Sequence, residues 1–216
     1  MLTRGMEIMD RDVREAIYSY LASRKPEDLE ALRELIGEEF RDLSPVQLAI
    51  EYISRGGDPE RISALLSWRD FEEFVSRSME LVGMDVARGI RAPPPRGFEI
   101  DVLGVEHISG FSIAVDCKHW SRVRSLSKAA RDMEERVSKA LSRCAILLSH
   151  LPTFYKARHL YPLIVTLRDP QVRYLGRVLI VPIHRFRDLL LRFREYAEEL
   201  GIEPYNNPCY RLQTLK

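Results

Sequence analysis

Two short segments that alternate apolar and polar residues, separated by a turn at residues 108–110, constrain this chain more than any other feature. Residues 98–104 read Phe-Glu-Ile-Asp-Val-Leu-Gly, and residues 111–118 read Phe-Ser-Ile-Ala-Val-Asp-Cys-Lys. Because successive side chains of a β-strand point to opposite faces, each segment predicts a strand with one apolar face. These faces would comprise Phe98, Ile100 and Val102 in the first strand and Phe111, Ile113, Val115 and Cys117 in the second.

The charged residues of the two segments are expected on the other face. Asp101 of the first strand, with Asp116 and Lys118 of the second, would project from one side of neighbouring strands. Two carboxylates at close range resist joint ionisation unless a cation lies between them. A divalent metal ion meets that need, and carboxylate oxygens suit Mg²⁺, for which Mn²⁺ would substitute. The pattern therefore predicts a Mg²⁺ site beside an ammonium group.

At these residues the chain resembles the PD-(D/E)xK nuclease superfamily, and within it the archaeal Holliday-junction resolvases and the Mrr-type restriction enzymes. Asp101 matches the family's first acid, and Asp116-Cys117-Lys118 matches its acid–x–Lys triplet, while Glu99-Ile100-Asp101 replaces the Pro-Asp of the name. The resemblance covers about residues 67–185. It implies an α/β fold with a restriction-endonuclease-like core. In that core the elements follow the order αβββαβ along the chain, and helices flank a mixed central sheet.

The resemblance also implies metal-dependent hydrolysis of DNA. Asp101, Asp116, the backbone carbonyl of Cys117 and a glutamate on the first core helix would hold one or two Mg²⁺ ions. Lys118 would orient or polarise the attacking water. No organic cofactor is expected, and a homodimer is expected by analogy because paired cuts need paired sites.

Two glutamates compete for the helix-borne position. Glu73 shares a helical stripe with Arg77 and Glu80, which favours pairing on a solvated face. Glu72 lies beside Phe71 at the edge of the apolar stripe, from which it could point toward the sheet. Glu72 is therefore the expected ligand, with two ordinary surface acids as the alternative.

Several basic side chains near the expected site are candidates for contacts with DNA phosphates. A solvated surface is the alternative for each of them. Residues 118–143 contain eight Lys or Arg and three acids. The candidates are Arg91, Arg96, His119, Arg122, Arg124, Lys128 and Arg131.

The chain divides by pattern into a helical N-terminal region, residues 1–66, and a nuclease-like domain, residues 67–216. Ser44 before Pro45 and Asp58 before Pro59 predict two helix N-termini in the first region. The N-terminal region has 9 Lys/Arg and 14 Asp/Glu, whereas residues 67–216 have 24 and 18. The acidic region is therefore expected to pack or bind a partner, with a helix-turn-helix DNA reader or a dimerisation element as the alternatives. The second region predicts helices at 67–81, 126–148 and 185–200 and strands at 84–90, 98–104, 111–118, 160–167 and 177–182.

Composition adds expectations about the environment. The three cysteines show no CxxC spacing, so neither a disulfide framework nor a zinc site is expected, and a reducing cytoplasm is favoured. No apolar run approaches the roughly 20 residues that cross a membrane, and the charged N-terminus is unlike a signal peptide. Five Asn and Gln residues beside 30% charged residues favour a thermophilic source.

Three functional hypotheses follow. The first is a Mg²⁺-dependent DNA endonuclease that acts in restriction or repair, with a preference for branched DNA as a further expectation. The second is a non-catalytic nucleic-acid-binding or assembly module on the same fold. The third is an interaction protein whose role lies in the acidic helices of residues 1–66.

Overall fold

The computed structural model of the chain describes residues 2–36, 43–95, 97–118 and 126–210. It divides into two compact units, Met1–Phe74 and Val75–Lys216. The division falls inside a helix, after Phe74, whereas the sequence predicts a boundary after residue 66.

The first unit is helical. Ser44 and Asp58 cap two of its helices as predicted: the Ser44 hydroxyl accepts from the backbone N–H of Gln47, whose side chain accepts from the Ser44 N–H, and Asp58 accepts from the N–H of Glu60. The helices are α1 (Leu2–Ser23), α2 (Pro26–Ile36), α3 (Pro45–Ser54), α4 (Pro59–Ser63) and α5 (Trp68–Leu81), the last of which continues into the second unit.

The second unit is an α/β fold built on a mixed sheet. Its strands are β1 (Asp85–Ala92), β2 (Phe98–Glu106), β3 (Phe111–Lys118), β4 (His159–Thr166), β5 (Tyr174–Leu175), β6 (Val178–Pro182) and β7 (Tyr205–Asn206). The sheet order is β1-β2-β3-β4-β6-β5, and β7 pairs with β4. β1, β2 and β3 are antiparallel, whereas β3, β4 and β6 run parallel. The helices are α6 (Leu126–Ser142), α7 (Cys144–His150), α8 (Ile183–Leu191), α9 (Phe193–Glu199) and a 3₁₀-helix (Pro152–Lys156).

Both faces of the central strands are covered. On one face, Met133 and Val137 of α6 belong to the same buried core as Ala114 of β3. On the other, the ring of Phe193 in α9 stacks on Phe111 with ring centroids 4.9 Å apart. Every residue of β3 before Lys118 is therefore buried, including its polar members. Any charged group on this strand lies in a largely dry environment.

The predicted apolar face of β2 is wrong in one respect. Ile100 packs in the same core as Leu103, not with Val102, which pairs with Val115. The alternation changes where the β1–β2 ladder is interrupted, at Gly89 and Asp101. The ladder pairs Arg88 with Val102 and Ile90 with Ile100 on either side, and Gly89 has a φ of +61°.

Two predicted helices are each divided. The expected helix at 126–148 breaks at Arg143 into α6 and α7, and the expected helix at 185–200 breaks at Arg192 into α8 and α9. Neither break has a glycine or a proline, so local sequence gave no sign of it. The second break leaves Phe193 packed against Phe111 and Tyr161 of the sheet.

The expectation of no disulfide is also wrong, because Cys144 and Cys209 are bonded, with Cα atoms 6.3 Å apart. Strand β7 returns the chain to β4, and the Asn207 amide donates to the carbonyls of Phe154 and Ala157 at 2.9 and 2.8 Å. These contacts bring Cys209 to the start of α7. A separation of 65 residues hides such a pair in the sequence. The inference of a reducing compartment from cysteine usage loses its basis.

Among the described residues, no helix combines the length and apolar character required to cross a bilayer.

Candidate active site

Asp101 and Asp116 meet where the pairing between β2 and β3 ends. Val102 pairs with Val115, and the next residues outward are Asp101 and Asp116. Oδ2 of Asp101 accepts from the backbone N–H of Cys117 at 2.7 Å. Both carboxylates are buried, with 7% of Asp101 and 2% of Asp116 exposed. The predicted neighbourhood of two acids on adjoining strands is thus present.

Lys118 lies on the same side of β3 as Asp116, as its spacing of two residues requires. Its Nζ is 2.7 Å from Oδ2 of Asp116, and its side chain is 13% exposed. Oδ2 nevertheless accepts no aligned hydrogen bond from any described residue, so the contact is an ion pair at short range.

Arg136 of α6 completes the charge cluster and was not predicted. Its Nη1 donates to Oδ1 of Asp116 at 2.8 Å. The one sign of it in the sequence is its position beside the buried stripe of α6, next to Val137 and four residues before Ala140. A cation at the edge of such a stripe can turn inward, but periodicity does not say toward what. The cluster of Asp101, Asp116, Lys118 and Arg136 is formally neutral.

The residues present fit a Mg²⁺ ion that takes only a few of its ligands from the protein. Within the described chain, no group of three or more His, Cys, Asp or Glu residues is placed to hold a metal. Mg²⁺ commonly takes only one or two protein carboxylates and keeps several waters. Asp101 and Asp116 supply two carboxylates, the Cys117 carbonyl is adjacent, and the buried Oδ2 of Asp116 has no hydrogen bond. This carboxylate oxygen is of the type that hard cations prefer, although the Lys118 ammonium lies 2.7 Å from it.

Glu72 belongs to the first unit, whereas the aspartates and Lys118 belong to the second. Its carboxylate accepts from the indole N–H of Trp68, one turn earlier on α5. On the same helix Arg77 pairs with Glu80 at 2.8 Å, and both belong to the stripe on which the sequence predicts that Glu73 pairs. The role of Glu72 as a metal ligand stays a prediction.

Only three of the predicted phosphate-contacting residues lie within the described part of the chain. Lys128 and Arg131 are exposed on α6, and Arg91 pairs across the ladder with Glu99 at 2.6 Å. The Cys117 side chain is buried and forms no disulfide, which agrees with its predicted core orientation. Four further candidates lie outside the described residues: Arg96, His119, Arg122 and Arg124.

Comparisons with known proteins are sparse. No protein-family profile matches this chain, and no curated protein matches it either. One similar solved structure is the crystal structure of protein VC1899 from Vibrio cholerae, with 14% sequence identity and a TM-score of 0.37. The match covers 90% of this chain and 58% of that one, so this chain spans little more than half of that protein's length. A likeness of this degree supports no conclusion about function.

Proposed function

We propose that this protein is a Mg²⁺-dependent DNA endonuclease of the PD-(D/E)xK type, with a restriction-endonuclease-like core. The observation that carries the proposal is the pair of buried aspartates on adjoining strands with Lys118 in contact with one of them. The element order supports it: α5, three antiparallel strands, α6 and then a parallel β4 follow the expected αβββαβ arrangement.

Each residue has a definite chemical task in this proposal. Asp101, Asp116 and the Cys117 carbonyl would hold the ion, which when bound supplies Lewis acidity toward the phosphate and lowers the pKa of water. Lys118 can donate a hydrogen bond to the attacking water or to a phosphoryl oxygen as negative charge grows there. Burial strengthens that interaction because bulk water screens it less.

The charge distribution supports a polyanionic substrate. Residues 75–216 carry 23 Lys/Arg and 15 Asp/Glu, whereas residues 1–74 carry 10 and 17. The unit with the candidate site is therefore the basic one. Basic surfaces attract nucleic acid through the phosphate backbone. A homodimer would allow two strands of a duplex to be cut together.

A cleavage assay with matched variants tests the proposal. Full-length protein with Mg²⁺ should cut at least one of duplex, nicked, flap and four-way DNA. Asp116→Asn and Lys118→Met should each reduce the cutting rate by about 100-fold or more, the usual effect of removing a transition-state contact. Asp188→Asn makes the same carboxylate-to-amide change at an exposed position outside the cluster and should keep the wild-type rate. Thermal unfolding of each variant separates loss of chemistry from loss of fold.

Wild-type protein that leaves all four DNA forms intact with Mg²⁺ and with Mn²⁺ would remove the enzyme proposal. Cutting by Asp116→Asn at the wild-type rate would remove the site.

One observation favours a second candidate, a non-catalytic nucleic-acid-binding or assembly module. Both oxygens of Asp116 already face cations, Lys118 and Arg136, so the cluster is electrically balanced without a metal ion. Such a module would bind DNA in a salt-sensitive manner. It would show no metal-dependent hydrolysis in the assay above.

A further inference from the structure

Arg136 makes a contact with the candidate site that the proposed chemistry does not use. Its Nη1 donates to Oδ1 of Asp116 at 2.8 Å, and its side chain is 29% exposed. Asp132 lies four residues earlier on α6, at the spacing at which an acid and a following base attract each other on a helix. The guanidinium of Arg136 instead contacts Asp116 of the sheet.

The burial and charge of Asp116 explain why Arg136 pairs with it. Asp116 is 2% exposed, and a buried carboxylate without a compensating cation is strongly unfavourable. Lys118 faces Oδ2, and Arg136 satisfies Oδ1. A divalent ion bound at Asp116 would bring a third cation to the same carboxylate. It would also compete for the electron pairs that accept the guanidinium N–H.

We propose that Arg136 is a resident counterion that a divalent metal ion must displace from Asp116. This side chain then sets the metal concentration at which the site fills. The inference rests on the proposed function, because it requires metal binding at Asp116. The displaced guanidinium has Asp132 within one helical turn as an alternative partner, so its release leaves the helix intact.

Thermal unfolding of the full-length protein during titration with MnCl₂, without DNA, tests the inference. Without metal, Arg136→Met should unfold about 3 °C below wild type, because Asp116 loses one of its two cations. With Mn²⁺, the half-saturating concentration for Arg136→Met should be about tenfold lower than for wild type, since the competitor is gone.

Two control variants isolate the effect. Arg136→Lys keeps a cation at this position and should stay within about threefold of the wild-type Mn²⁺ midpoint. Lys139→Met removes a positive charge from the same helix, where Lys139 pairs with Glu135 at 2.6 Å, and should leave the midpoint unchanged.

The outcomes separate this inference from the proposed function. If Mn²⁺ stabilises wild type and Arg136→Met with the same midpoint, or binds Arg136→Met more weakly, the counterion role is wrong while metal binding stands. If Mn²⁺ stabilises neither wild type nor Arg136→Met, the metal site itself fails, and the inference is overturned with it. A lower midpoint for Lys139→Met equal to that for Arg136→Met would show a general charge effect and would also overturn it.

Discussion

Asp116 shows how much charge a single position in this sheet can hold. A buried carboxylate is unfavourable unless it is paired and hydrogen-bonded. Here one carboxylate meets two cations that come from its own strand and from the covering helix. By contrast, Arg192 and Asp188 pair at 2.7 Å on an exposed surface, where water screens the charges and the contact adds little stability. The buried arrangement is the one that calls for a functional explanation.

His159, at the start of β4, should make the stability of the protein depend on pH. Burial lowers its pKa from the ordinary value, and the nearby positive charges of Arg158 and Arg194 lower the pKa further. The unfolded chain therefore binds the proton first, at about pH 6.5, and stability is lost as pH falls below that value toward the folded pKa. Above pH 7.5 both states are neutral at this position, and the effect should vanish.

Urea unfolding of wild type and His159→Gln between pH 5 and 8 measures this dependence. The free energy of unfolding of wild type should fall more steeply toward pH 5 than that of His159→Gln. Parallel curves for wild type and His159→Gln would contradict the assignment.

Among the elements, the β1–β2 pair has a local irregularity next to the candidate site. Gly89 has a φ of +61°, and a Cβ built on it meets nothing within 4 Å. A side chain there would be disfavoured by backbone conformation alone. Because the left-handed region costs about 1–2 kcal/mol for most L-residues, Gly89→Ala should lower the free energy of unfolding by about 1 kcal/mol.

Gly89→Asn is the matched variant, since asparagine tolerates the left-handed region better than alanine. It should therefore lose less stability than Gly89→Ala in the same denaturation experiment. Equal losses would mean that the glycine is required for some reason other than its φ. Because Asp101 lies opposite this position, a cleavage assay of both variants would also report on its placement.

The sequence predicts well those helices and strands that have a strong local signal, such as a helix cap or a regular apolar period. The capped helices at Ser44 and Asp58, helix α5 and strand β3 follow from caps or regular periods, and β2 does so in its position but not in the face of its second half. The breaks at Arg143 and Arg192 do not, because tertiary packing overrides an unbroken helical pattern there. Arg136 also could not be predicted, because its contact with Asp116 depends on tertiary packing. Alternation predicted the strand partners of the cluster, but no period indicates that a helix-edge cation crosses to the sheet.

At the scale of the whole molecule, long-range pairing and charge distribution differ in how well the sequence reveals them. The Cys144–Cys209 bond depends on β7 returning to β4 and could not be read from cysteine spacing. Net charge needs no fold to be counted, and it separates an acidic unit, residues 1–74, from a basic one, residues 75–216. That asymmetry makes the basic unit the expected partner of DNA.

The salt dependence of DNA binding should therefore reflect cations of the basic unit. With about four phosphate contacts, the affinity of wild type for duplex DNA should fall by about 100-fold between roughly 50 and 200 mM salt in EDTA. The double variant Lys128→Ala/Arg131→Ala removes two exposed cations of α6 and should reduce the slope of log K against log salt by about 2. Arg11→Ala/Lys25→Ala removes the same charge from the acidic unit and should leave the slope unchanged. Equal reductions by both variants would contradict a contact surface confined to α6, because a cation that neutralises no phosphate releases no counterion and should leave the slope unchanged.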